Sequence, residues 1–95
     1  MPTTQKEIKM KDGTIVPKGS PVTFLPDSDS RCLVQGERPE PYRVRITSAF
    51  KVPSMRSLEK YSYDGIAKSV LGKRVEPDGR DEHGSPSWLL VIGVI

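Results

Sequence analysis

The sequence is poor in the residues that most often carry chemistry: it has one cysteine, one histidine and one tryptophan. A single cysteine, Cys32, excludes an intramolecular disulfide and favours a reducing, cytoplasmic compartment. The lone histidine, His83, lies in a separate polar context, so a Cys–His nucleophile pair is not expected. A zinc site would need more His or Cys ligands than the chain has. Glycine-rich phosphate loops and nucleophile elbows are also missing. We therefore expect a non-catalytic protein with no metal and no cofactor.

Long hydrophobic runs are missing as well. The densest apolar run covers residues 86–95, about half the ~20 residues that a membrane-spanning helix needs. The first twelve residues are polar and of mixed charge, without the apolar region of a secretory signal. These features predict a soluble protein that does not interact with membranes.

The 95 residues fit one domain over residues 1–95, with a small core and a loose segment at residues 1–8. Nine prolines and eight glycines favour short strands joined by turns, because proline inside a helix costs about 3 kcal/mol. The net charge of +3 is a mild basic excess, which is compatible with nucleic acid or an acidic protein surface as a partner.

Short strands are predicted in the first half of the chain. Asp12-Gly13 is typical of a tight hairpin turn. Strands are predicted at Val22–Leu25, with Val22 and Phe24 on one face, and at residues 31–35.

The clearest periodicity in the chain runs from Tyr42 to Val52. Apolar side chains alternate with Arg43, Arg45 and Lys51 over this stretch, which predicts a half-buried antiparallel strand. The apolar face comprises Tyr42, Val44, Ile46, Phe50 and Val52.

One helix is predicted around residues 57–71, with Ser54, Ser57 or Asp64 as its N-cap and Gly72 as its C-terminal stop. The apolar run at residues 87–95 is rich in β-branched side chains and reads as a final strand that is covered on both faces. We expect this strand at the centre of the sheet.

These elements predict an α+β fold that is mostly β. Two architectures fit: a small, strongly bent antiparallel sheet with the helix on one face, or a partly open SH3-like barrel. Either would contain five to six strands.

A basic strand face is the first candidate site. Arginines two apart on a strand lie about 7 Å from each other, a spacing suited to successive phosphates of one nucleic-acid strand, and a guanidinium binds phosphate bidentately. The residues predicted to bind nucleic acid or another anion are Arg43, Arg45, Lys51, Arg56, Lys73 and Arg74. An ordinary solvated outer face would show the same pattern.

A charged loop at residues 76–83 is the second candidate. Its acidic residues do not follow a calcium-loop spacing, so we interpret it as a hairpin loop or as a contact for a protein partner. The contact residues would be Asp78, Arg80, Asp81, Glu82 and His83.

The preferred hypothesis is a small binding module that contacts nucleic acid or another anionic partner through the basic strand face. One alternative is a protein–protein inhibitor or adaptor of the phage or plasmid type, which blocks a host nucleic-acid-handling or defence complex. Another is a structural subunit, homodimeric for example, in which strand 87–95 completes a sheet across an oligomer.

Overall fold

The computed structural model describes residues 2–94. Its contacts divide the chain into two compact units, Met1–Lys51 and Val52–Ile95. The described residues form seven strands in three small antiparallel sheets, together with three helices. The mostly β class is confirmed. The strands do not close into a barrel, and they belong to three sheets instead of one sheet of five to six strands.

The first unit begins with a hairpin of β1 (Ile8–Lys9) and β2 (Ile15–Val16), as the Asp12-Gly13 pair predicts. Gly13 has φ 90°, a left-handed conformation that glycine adopts without a steric penalty. The Thr14 backbone N–H donates to Asp12 Oδ1 at 2.9 Å. This hydrogen bond is the main reason that the pKa of the Asp12 carboxyl lies below its ordinary value.

A three-stranded antiparallel sheet follows, in the order β3 (Val22–Phe24), β4 (Arg31–Val34) and β5 (Tyr42–Arg45). Its inner face contains two rows of buried side chains that lie opposite one another across the strands. The strands predicted at Val22–Leu25 and at residues 31–35 are confirmed, apart from their last residues. The two rows are Val22, Val34 and Tyr42, then Phe24, Cys32 and Val44.

The segment expected to be loose at residues 1–8 makes defined contacts from Pro2 onward. The Val22 N–H donates to the Pro2 carbonyl at 2.9 Å, and Thr3 bridges to Pro21. Thr4 is buried, and its hydroxyl oxygen accepts from the Gly19 and Ser20 N–H groups at 3.0 and 3.2 Å. The outer edge of β3 is therefore covered by the start of the chain.

The strand predicted over residues 42–52 is wrong beyond Arg45, where the chain turns into the short helix α1 (Ile46–Ala49). The helical turn buries Ile46, Ala49 and Phe50 completely. A continued strand would have directed Ala49 to the same side as the arginines, so the turn brings one more apolar residue into the core.

The second unit contains the main helix, α2 (Met55–Asp64), which is shorter than predicted. Ser54 is its N-cap, as one of the predicted alternatives, and accepts a hydrogen bond from the Ser57 N–H at 3.2 Å. Asp64 is the last helical residue and not a cap. Gly65 follows with φ 70° and ends the helix in a left-handed conformation.

The residues predicted to continue this helix instead form a hairpin of β6 (Ala67–Lys68) and β7 (Arg74–Val75). Gly72 has φ 86° and lies in the turn of the hairpin, where its N–H donates to the Ser69 carbonyl at 2.9 Å. A left-handed glycine suits both a helix stop and a hairpin turn. The predicted chain reversal at Gly72 is therefore correct, but it belongs to a hairpin and not to the end of a helix.

The final strand predicted at residues 87–95 is also wrong, because Trp88–Val91 forms the short helix α3. Ser87 caps this helix by accepting from the Leu90 N–H at 3.3 Å. Trp88, Leu89 and Val91 are buried, which confirms that the first part of this run is core, whereas Val94 is 60% exposed. The predicted central strand is therefore wrong. The structural-subunit hypothesis relied on this strand to complete a sheet across an oligomer, and the helix at Trp88–Val91 does not support it. Ile95 lies outside the described residues.

Replacing Phe50 by alanine tests the core of the first unit. Phe50 is fully buried and stacks on Phe24 with ring centroids 5.8 Å apart, so F50A should lower the free energy of unfolding by about 3–5 kcal/mol. The control Ile15→Ala removes a side chain that is 52% exposed and should cost less than about 1 kcal/mol. Urea unfolding followed by circular dichroism measures both values. Equal losses would contradict the assigned core.

Candidate functional site

Two arginines project from the outer face of β5. Tyr42 and Val44 point into the core, so the alternation of the strand directs Arg43 and Arg45 into solvent, where both are exposed. The prediction that these two side chains share one strand face is confirmed.

A third arginine, Arg31, lies directly opposite Arg45 on the neighbouring strand β4. The Ile46 N–H donates to the Ser30 carbonyl at 2.9 Å, which makes Arg31 and Arg45 a non-hydrogen-bonded pair. In such pairs the Cα atoms are about 4.5 Å apart and the side chains approach most closely. We call the side chains of Arg31, Arg43 and Arg45 the arginine face.

The described residues provide no carboxylate partner for the arginine face. Among residues 2–94, none forms a hydrogen bond or an ion pair with these three guanidinium groups. Like charges placed directly opposite each other destabilise an antiparallel pair. An anion that lies between Arg31 and Arg45 would remove this repulsion.

Arg38 differs from the arginine face because its guanidinium has partners within the chain. It lies 3.7 Å from the centre of the Tyr42 ring and donates to the Glu40 and Pro41 carbonyls at 2.9 and 3.2 Å. This side chain therefore orders the loop between β4 and β5.

An apolar groove lies on the same outer face of the sheet. It has a volume of about 310 Å³, and Leu33 connects it to the arginine face because Leu33 is the cross-strand partner of Arg43. A ligand on this face would thus contact cationic groups at one end and apolar surface at the other. The groove is lined by Pro21, Thr23, Leu33, Gln35 and Pro41.

Lys51 is not part of this strand face, which corrects the prediction. The chain turns through α1 before Lys51, and the Lys51 N–H donates to Gln5 Oε1 at 2.9 Å. Its exposed side chain therefore does not follow Arg43 and Arg45 along one strand.

The other predicted anion-binding residues belong to the second unit. Arg56 is exposed in the first turn of α2. Lys73 precedes β7 and lies 3.8 Å from the Glu82 carboxylate. Arg74 is exposed on β7, opposite Lys68. The predicted set is therefore divided between the two units.

Asp81 organises the charged loop that was predicted as a partner contact. Its Oδ2 accepts from the Ser69 hydroxyl at 2.6 Å, and its Oδ1 accepts from the His83 and Ser85 N–H groups at 2.9 and 3.1 Å. A carboxylate with three internal donors holds the loop on the β6–β7 hairpin and is not available to a partner.

The remaining residues of this loop differ in their freedom to bind. Arg80 Nη1 donates to the Gly84 carbonyl at 2.8 Å, so this side chain also supports the loop. Asp78, Glu82 and His83 are exposed. Glu82 lies 3.8 Å from both His83 Nε2 and Lys73 Nζ. Only these three exposed side chains fit the predicted contact role.

Arg31 is the residue of this face that sequence reasoning missed. Arg31 begins the predicted strand 31–35 and lies two residues before Leu33, on the same face of the strand. The alternation of that strand was therefore enough to predict that its side chain points outward. Its position opposite Arg45 depends on the register of β4 with β5, which the sequence does not contain.

Residues 2–94 contain no group of three or more His, Cys, Asp or Glu side chains arranged to hold a metal ion. None of their helices has the length and apolar character required to cross a membrane. No protein-family model, curated protein or solved structure matches the chain.

Asp81→Ala should destabilise the second unit by about 2–4 kcal/mol, because it removes hydrogen bonds to an ionised acceptor and leaves the buried Ser69 hydroxyl with one partner fewer. The control Asp78→Ala changes an exposed carboxylate with the same loss of charge, and we expect a change within about 0.5 kcal/mol. Chemical unfolding of both variants measures the difference. A D81A variant as stable as D78A would contradict the structural role of Asp81.

Cys32 provides a prediction on pH. Burial raises the pKa of its thiol from 9.0 to about 11. Below pH 9 the thiol is neutral in both the folded and the unfolded chain, so it has no effect on stability. Between pH 9 and 11 it ionises only in the unfolded chain, and stability should fall by up to about 1.4 kcal/mol per pH unit.

The variant Cys32→Val keeps an apolar side chain of similar size and lacks this ionisation. We expect its free energy of unfolding to fall less steeply than that of the wild type between pH 8 and pH 10.5. All other ionisable groups are common to both proteins, so the difference isolates Cys32. Identical pH dependence would show that the thiol is not buried as described.

Proposed function

We propose that this protein is a non-catalytic binding protein whose arginine face contacts the phosphate groups of a nucleic acid. The observation that carries the proposal is the pair of opposed arginines, Arg31 and Arg45, which has no carboxylate partner among the described residues. Two guanidinium groups in this arrangement suit one phosphate, which accepts several charge-assisted hydrogen bonds.

Arg43 extends the contact along β5. Residues two apart on a strand are separated by about 7 Å, so Arg43 and Arg45 suit successive phosphates of one nucleic-acid strand. The apolar groove next to Arg43 offers surface for the sugars or bases. Arginine suits phosphate because its planar fork donates two parallel hydrogen bonds.

A salt series with a fluorescent oligonucleotide tests this proposal. If two phosphates are neutralised, the logarithm of the affinity should fall with the logarithm of salt concentration with a slope of about −1.4. Between 50 and 200 mM salt this corresponds to a loss of about sevenfold. The double variant R43A/R45A should bind more weakly at low salt and lose only about threefold over the same range.

The matched control is the double variant K11A/K18A, which loses the same charge from exposed positions of the first unit outside the sheet. It should keep a slope close to that of the wild type. A second variant, R43K/R45K, keeps the charge but loses the bidentate geometry, and it should show intermediate affinity. Salt-independent binding, or equal affinity of R43A/R45A and wild type, would refute the proposal.

A second candidate function, contact with an acidic protein segment, is favoured by the open edge of β5. The ladder with β4 directs the N–H and C=O of Arg43 away from the sheet, and among the described residues neither has a hydrogen-bond partner. The opposite edge, at β3, is covered by the start of the chain. An extended acidic peptide could pair with this open edge while its carboxylates meet the arginine face. Binding of poly-glutamate with protection of the Arg43 amide from hydrogen exchange, combined with no oligonucleotide binding, would favour this candidate.

A further inference from the structure

A pocket in the second unit lies between the last turns of α2 and the β6–β7 hairpin. Its volume is about 290 Å³, just below the range of about 300–1,000 Å³ that is usual for ligand sites. It combines three cations, one carboxylate, an aromatic ring and apolar surface. The lining residues are Lys60, Tyr61, Asp64, Ile66, Ala67, Lys68 and Arg74.

The local structure explains why these groups meet. Tyr61 and Asp64 are three residues apart on α2 and therefore lie on one face of the helix. The left-handed Gly65 then reverses the chain. Ala67 is buried, so the alternation of β6 directs Lys68 outward.

Lys68 and Arg74 repeat the arrangement of the arginine face. They are direct cross-strand partners, and the Ser69 N–H donates to the Lys73 carbonyl at 2.7 Å, which makes them a non-hydrogen-bonded pair with closely approaching side chains. Within residues 2–94, neither of them nor Lys60 forms an ion pair or a side-chain hydrogen bond. The pocket thus holds an excess of two positive charges, after subtraction of Asp64, and they are not neutralised by the chain.

We propose that this pocket binds one nucleotide unit of a nucleic acid. Lys68 and Arg74 hold the phosphate, with Lys60 adding charge at the same mouth. The half-buried Tyr61 ring stacks on the base, and Ile66, which is 47% exposed, covers the apolar part of the ligand. The Asp64 carboxylate accepts a hydrogen bond from a sugar hydroxyl.

The aromatic ring favours a nucleotide over an acidic peptide. A carboxylate peptide needs cations only, whereas a base gains from stacking on a tyrosine ring. The choice of a nucleic acid as the ligand rests on the proposed function. The pocket itself does not, because none of its lining residues belongs to the arginine face.

Titration of the full-length protein with AMP, followed by NMR, tests the pocket without any variant. We expect saturable chemical-shift changes at the amides of Tyr61, Ile66, Lys68 and Arg74. No saturable change at these amides would overturn the proposal.

Four variants then separate the contributions to AMP affinity. Y61A should weaken binding by about five- to a hundredfold because it removes the stacking surface, whereas Y61F keeps the ring and should remain within about twofold of wild type. K68A/R74A should abolish measurable binding. K11A/K18A should bind AMP as the wild type does, because both lysines lie outside the lining of the pocket.

Inorganic phosphate and pyrophosphate are the decisive competitors. If phosphate and pyrophosphate bind more weakly than AMP, by about the factor that AMP affinity loses in Y61A, the result supports a nucleotide site. If phosphate and pyrophosphate bind as tightly as AMP, and Y61A binds AMP as the wild type does, the pocket is a simple anion site and the proposal is overturned. The arginine face is tested separately by the oligonucleotide salt series, so either proposal can fail while the other stands. The melting temperature of each variant is the control: a value close to that of the wild type shows that a change in affinity does not arise from unfolding.

Discussion

Burial of the inner face of the three-stranded sheet determines the direction of the side chains on β4 and β5. Cys32 and Val34 have no exposed surface, and the adjoining Ile46 and Phe50 are equally buried. Because side chains alternate along a strand, a register slip of one residue would bring arginines into this core and expel its apolar residues. The core therefore holds the arginines outside in one fixed arrangement, and the arginine face is a consequence of packing as much as of charge.

Both units place like charges opposite each other on an exposed hairpin surface: Arg31 faces Arg45, and Lys68 faces Arg74. In both hairpins the hydrogen-bond pattern makes the position the one at which opposed side chains come closest. Repulsion at such a pair lowers stability slightly, and a bound anion would convert it into attraction. The charged loop differs from these two pairs, because the Asp81 carboxylate already accepts hydrogen bonds from donors within the chain.

Strands with strict alternation and strong turn signals were predictable: β3, β4, the turn at Asp12-Gly13, and β5 as the first part of the strand predicted over residues 42–52. Predictions failed where a local pattern suited two structures. Ser87 and the β-branched residues after it fit a strand by propensity, yet the serine side chain caps a helix. The predicted end of α2 was wrong for a related reason: a glycine suits a helix stop at Gly65 as well as at Gly72, and Gly65 is the one that ends the helix.

The amino-acid sequence alone determined which side chains could be core and which could be charged surface, because hydrophobicity and the period of two are properties of the chain. It gave Arg43 and Arg45 a common face for that reason. The cross-strand register and the turn into α1 were decided by tertiary packing, and the pocket beside Tyr61 by the chain reversal at Gly65 between α2 and the β6–β7 hairpin. The register joins residues that are apart in sequence, such as Arg31 and Arg45, and their pairing depends on which apolar side chains fill the same core.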